Sequence, residues 1–216
     1  SVKQLHRALN NSEDPLEIWN LLGMEHLLAE EFEEASFFFK KCIDENPEDY
    51  PSLYNFLYCQ EQMGHIEKAI ACLNKILEHN PYCEVAWHQV GKQYFDLKNY
   101  TKALAAYDFA IISDDTFIGA YFEKGKVLEK LGRYNEAIEN YQITLGLDDP
   151  TSFAYLRMGK CYQKLHCDDL AIEFFLKTVK EDPLLDKGWI AITDFYTKKM
   201  DYQNALYYIN KAINID

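Results

Sequence analysis

The stretch Val90–Tyr107, VGKQYFDLKNYTKALAAY, decides the fold because most of it returns. Thirty-four residues on, the chain reads KGKVLEKLGRYNEAIENY over 124–141, and thirty-four further MGKCYQKLHCDDLAIEFF over 158–175. Each copy carries Gly-Lys, with an alanine twelve residues after the glycine. A phosphate-binding loop would need GxxxxGK followed by Ser or Thr, set between a strand and a helix so that free amides can wrap the phosphates. Here Lys92, Lys126 and Lys160 precede Gln93, Val127 and Cys161. The surrounding apolar spacing is helical, so those amides are committed to helix hydrogen bonds. The Gly-Lys copies belong to a structural repeat.

Extended in both directions, the repeat has six units beginning at 16, 50, 84, 118, 152 and 186, without insertion or deletion. Position 20 of every unit is alanine: Ala35, Ala69, Ala103, Ala137, Ala171 and Ala205. Position 4 is bulky each time, as Trp19, Leu53, Trp87, Tyr121, Tyr155 and Trp189. Position 8 is Gly23, Gly91, Gly125 and Gly159 in four units, and Leu57 and Thr193 in the others. Position 31 is always Asn or Asp, followed by Pro47, Pro81 and Pro183 in three units. Apolar residues at 4, 7 and 11 share one face of a first helix, and those at 17, 20, 21, 24 and 28 one face of a second. Small residues at 8 and 20 let the two helices approach closely. Asn/Asp before Pro ends the second helix, because the residue before Pro is pushed out of the helical region. One hairpin cannot bury both of its faces, so neighbours must stack into an all-α solenoid.

The period, the bulky residue at 4, Gly at 8, an aromatic at 17, Ala at 20, an aromatic at 24 and Pro at 32 resemble the tetratricopeptide repeat. The resemblance implies a right-handed α-α superhelix of antiparallel helix pairs. Its repeats would be 16–49, 50–83, 84–117, 118–151, 152–185 and an incomplete 186–216. Residues 1–15 continue the phase backwards as the second helix of a truncated preceding repeat, and the chain stops at position 31 without a polar capping helix. The expectation is therefore a segment of a longer array. Lys124 at position 7, Asp168 at position 17, and Asp115 and Asp149 in place of Pro depart from the pattern locally.

The chain has 216 residues with 35 acidic and 22 basic side chains, a formal charge of -13. That balance argues against a nucleic-acid backbone or an anionic membrane as partner. Six irregularly spaced cysteines read as free thiols in a reducing, cytoplasmic compartment, and no linker or domain boundary is visible. Cys161, His166 and Cys167 lie close in sequence but do not make a four-ligand zinc spacing. No nucleophile elbow or Ser/His/Asp arrangement can be argued either. The expectation is a non-enzymatic protein with no cofactor and no metal.

In the family resemblance, positions 2, 5, 9, 12 and 13 of the first helices line a concave groove. Read out here, they place Lys92, Lys126, Lys130, Lys160, Lys164 and Lys198 on one stripe beside Tyr54, Tyr58, His88, Phe122 and Phe153, with Arg157 at a position 6. Such a stripe suits a protein or peptide partner with an acidic or extended segment. It also suits a merely solubilising face, since long lysines often just cover apolar surface with their stems. The carboxylate-clamp pattern of one subclass is not matched: Asn20, Met24, Asn55, Val85 and Gln89 lack its basic members. The competing expectation is a structural or regulatory segment that packs against its own longer chain or self-associates through uncapped ends.

Overall fold

The computed structural model describes Leu5, residues 15–147 and residues 151–213. Among them the chain forms twelve helices and no strand. They are α1 Leu16–Leu28, α2 Phe32–Glu45, α3 Tyr50–Gln62, α4 Ile66–His79, α5 Glu84–Asp96, α6 Tyr100–Ser113, α7 Ile118–Lys130, α8 Tyr134–Leu147, α9 Ser152–Lys164, α10 Asp168–Glu181, α11 Asp186–Lys198 and α12 Tyr202–Ile213. This is the all-α arrangement of paired helices that the periodicity predicts. The helix expected within residues 1–15 lies outside the described residues, apart from Leu5 and Pro15.

The chain forms two compact units, Ser1–Pro81 and Tyr82–Asp216. The expectation of no boundary is corrected at this point. The 34-residue phase runs through Pro81–Tyr82 without a break, so composition gives no sign of the division.

One three-residue turn joins the helices within every pair. Its middle residue, position 15, has positive φ in all six: Glu30, Gly64, Lys98, Gly132, His166 and Met200, between 57° and 75°. The next residue donates its N–H back to the carbonyl of position 11: Glu31 to His26, His65 to Gln60, Asn99 to Tyr94, Arg133 to Leu128, Cys167 to Tyr162 and Asp201 to Tyr196, at 2.8–2.9 Å. This 6→1 bond is the Schellman closure of a helix C-terminus. It reverses the chain so that the second helix folds back along the first.

The turns between repeats use the Asn/Asp of position 31. Asn46, Asp114 and Asp182 each accept, through the side-chain oxygen, the N–H two residues further on, at 3.1, 2.9 and 3.0 Å. These Asx turns end α2, α6 and α10 whether Pro follows, as Pro47 and Pro183 do, or Asp115 does. The bulky residue at position 4 then ties the same turn down. The Trp189 indole donates to the Pro183 carbonyl at 2.8 Å, and the Tyr121 hydroxyl to the Asp115 carbonyl at 3.1 Å.

Within a pair, position 8 faces position 24. A Cβ added to Gly23, Gly91, Gly125 or Gly159 would lie 2.7, 2.6, 2.6 and 2.5 Å from the rings of Phe39, Tyr107, Tyr141 and Phe175. All four rings are fully buried, and the alanines of position 20 are buried beside them. The ring is thus the main partner of the glycine, with alanine clearing space alongside. In the second unit these pairs sit in continuous cores, such as Leu128, Ala137, Tyr141, Met158 and Cys161, or Leu156, Phe175, Trp189 and Ile192.

The second repeat departs from this packing. Leu57 occupies position 8 there and is itself buried, as is Leu73 of position 24. Where the other pairs lie along each other, α3 and α4 are in sparse contact, although α3 keeps a full interface with α2. This pair, with leucine at position 8, is the open one, whereas the pair with Thr193 at the same position is closed.

Candidate peptide-binding surface

Ten of the residues expected in the groove belong to the second unit, and Tyr54 and Tyr58 to the first. The structure brings five of the ten together. Lys130 of α7, Arg157, Lys160 and Lys164 of α9 and Lys198 of α11 line a single cavity of about 350 Å³. Its remaining wall includes Glu129, Gln163, Phe175, Ala191 and Asp194. The repeat explains the convergence. Positions 9 and 13 lie one turn apart on one helix face, and equivalent positions of neighbouring repeats stack at helix-packing distance.

Glu129 is already engaged. Its Oε1 accepts the Tyr141 hydroxyl at 2.5 Å and its Oε2 accepts Arg157 Nη1 at 3.2 Å. Arg157 is therefore held in place by a carboxylate that itself sits on a buried ring. Lys130, Lys160, Lys164 and Lys198 form no ion pair among the described residues. Partial burial, reinforced by the Arg157 charge, lowers the Lys160 ammonium from its ordinary value, with Glu129 and Asp194 pulling the other way. A cation held against its own desolvation gains from any anion brought beside it. Cys161, at the base of the cavity, is pushed by burial up to about 12, so it stays a thiol and carries no nucleophile.

The other expected residues are placed differently. Lys126 pairs with Glu123 of its own helix at 2.7 Å and lies over the Phe95 ring. Its charge is spent locally. Lys92 and Phe153 are exposed, and Phe122 packs on Tyr141 with ring centroids 5.4 Å apart. His88 turns its ring into the packing between Tyr107 and Phe117, where its Nε2 is buried without a partner. In the first unit Tyr58 meets Phe32 edge-on at 6.2 Å, and Tyr54 and Tyr58 are both exposed. Glu129 and Asp194, the acidic members of the cavity wall, stand at positions 12 and 9 of their repeats, and spacing alone does not show that Glu129 pairs with Arg157. Among the described residues no three His, Cys, Asp or Glu side chains gather as a metal site requires. No helix there is long and apolar enough to cross a membrane.

Sequence models described as tetratricopeptide repeat match residues 26–90 and 118–143. A curated relative, anaphase-promoting complex subunit 3 of Schizosaccharomyces pombe, is 29% identical over 124 residues. That alignment covers 57% of this chain, and this chain spans only 19% of that relative's length. A tetratricopeptide repeat protein from Parabacteroides merdae superposes with a TM-score of 0.73 over 92% of this chain and 78% of its own, at 17% identity, which shows the fold alone. YrrB, described as a TPR protein with an unusual peptide-binding site, superposes at 0.62 over 82% and 92%, at 25% identity.

Proposed function

The chain is a tetratricopeptide-repeat protein, and from that premise we propose that it is a non-enzymatic binding module whose second unit takes an acidic, extended peptide segment. One observation carries the reading: in a chain of net charge -13, Lys130, Arg157, Lys160, Lys164 and Lys198 face one cavity against two carboxylates. One of those two, Glu129, is neutralised by Arg157. The local sign is opposite to that of the whole molecule, which steers an acidic partner to this face and away from the rest. Phe175 and Ala191 give the cavity an apolar part, where an aliphatic side chain between two acidic ones would rest. The peptide-binding description of YrrB, a neighbour at 25% identity, supports the same mode of use.

Fluorescence anisotropy with a labelled peptide of alternating glutamate and leucine tests the proposal. Binding should weaken as salt rises from low to physiological concentration, because exposed charges are screened. The double substitution Lys160→Glu with Lys164→Glu should weaken it about tenfold or more, since like charges placed opposite each other cost more than 1.4 kcal/mol. An unchanged affinity in the charge-reversed protein would mean that the lysines only solubilise the face.

A further inference from the structure

The opened second repeat exposes a feature that the second-unit site does not use. Between α2, α3 and α4 lies a cleft of about 570 Å³, lined by Phe37, Phe56, Met63, Ala71 and Cys72, with Ser36 and Gln60 among them. Such a volume is in the range of ligand clefts. A further cavity of about 370 Å³ shares Lys40, Asp44, Cys72 and Lys75 with it and runs on to Pro47 and His79. The two make one groove along the α2–α4 side of the first unit.

The groove's floor holds an unsatisfied polar group. Gln60 is 3% exposed, and its Nε2 donates to Ser36 Oγ at 2.5 Å while its Oε1 has no partner. A buried amide with one atom unmet costs about 1–3 kcal/mol, a loss a ligand donor would recover once the amide turns toward the cleft. The rim carries Lys40, Lys41, Lys68 and Lys75 against Glu33, Asp44 and Glu78. Lys40 is paired with Asp44, and Lys41 lies over the rings of Trp19 and Phe37, at 5.1 and 4.9 Å. Lys68 approaches His65 Nδ1 at 3.4 Å, and among the described residues neither Lys68 nor Lys75 forms an ion pair. The floor is apolar with one unmet acceptor, and the rim is net positive in an acidic chain.

We propose that this groove is a second binding site, which takes an acidic segment bearing a tyrosine, the phenol seated over Phe56 with its hydroxyl donated to Gln60. A phenol supplies both things the floor lacks, an apolar body and a polar hydrogen at its tip. Glutamates or aspartates on either side of it would lie within reach of Lys68 and Lys75. Leu57 marks the site. It occupies the position that is glycine in four of the closed hairpins, in the pair where α4 stands off α3.

The site is separable from the one in the second unit. Isothermal titration would use the Lys160→Glu, Lys164→Glu protein and a peptide with one tyrosine between two runs of three glutamates. Binding is expected to persist in that background. It should fall about fivefold when the peptide tyrosine becomes phenylalanine, the loss of one hydrogen bond, and at least as much with Lys68→Glu and Lys75→Glu. Both lysines are exposed, so that last variant should keep its far-ultraviolet circular dichroism. Equal affinity for the two peptides would overturn the proposal, as would indifference to Lys68 and Lys75. Complete loss of binding in the Lys160→Glu, Lys164→Glu background would also overturn it, while leaving the second-unit reading standing.

Discussion

At the scale of single residues, the fold depends on a glycine meeting a ring. Gly91 is helical, and a helical glycine costs up to about 1 kcal/mol relative to alanine, so its retention needs a reason. The reason is Tyr107, whose ring an added Cβ would meet at 2.6 Å. Gly146, near the end of α8, has nothing within 4 Å of an added Cβ. Gly91→Ala should therefore lower stability by about 1–3 kcal/mol through overpacking, and Gly146→Ala should raise it by about 0.5–1 kcal/mol, both measured by urea denaturation. The repeat made Gly91 and Tyr107 stand out at fixed positions, but it could not show that they touch. Spacing assigns a residue to a helix face, whereas the contact depends on side-chain direction, and the ring reaches back sixteen residues to cover the glycine.

At the scale of the element, the three-residue turn is more uniform than its letters. Position 15 reads Glu30, Gly64, Lys98, Gly132, His166 and Met200, with no shared chemistry, yet all six adopt the left-handed conformation. The two glycines were the only hint in the sequence, because four residue types bear the strain that glycine would avoid. For an L-residue that conformation costs roughly 1–2 kcal/mol. His166→Gly should then stabilise the second unit by about 1 kcal/mol, since the ring is exposed and little packing is lost; thermal unfolding would register it. The sparse α3–α4 pair shows the opposite limit of legibility. Leu57 was visible as a departure from glycine, but a departure at one position does not say whether the hairpin repacks or opens.

At the scale of the whole molecule, the all-α repeat was legible because six copies agree, and the division at Pro81–Tyr82 was not, because the copies agree across it. The lysine stripe was only partly legible. Register put Lys126 and Lys160 on one line, yet Glu123 occupies the first while the second remains unpaired. Acid response gives a further check on the packed interior. Burial lowers the His88 imidazole from 6.5, opposed by Glu123 and aided by Lys92 and Lys126. The folded chain then keeps the ring neutral where the unfolded chain takes up a proton, so this contribution is complete above 6.5 and is lost as pH falls below it. His88→Phe, matching Phe122 one repeat on, should make the melting temperature less sensitive to pH between 7.5 and about 5.5 than in the parent protein. An identical pH profile would show that the imidazole is solvated.

The glycine–ring pairs also have a magnetic consequence. The circulating electrons of an aromatic ring shift the resonance of a proton held against it, and Gly23, Gly91, Gly125 and Gly159 each point one α-proton at Phe39, Tyr107, Tyr141 or Phe175. Four hairpins thus carry their own ring-shifted resonance, each reporting closure of a single helix pair. The two repeats with Leu57 and Thr193 at the same position are silent, and the hairpin that stands open is one of them.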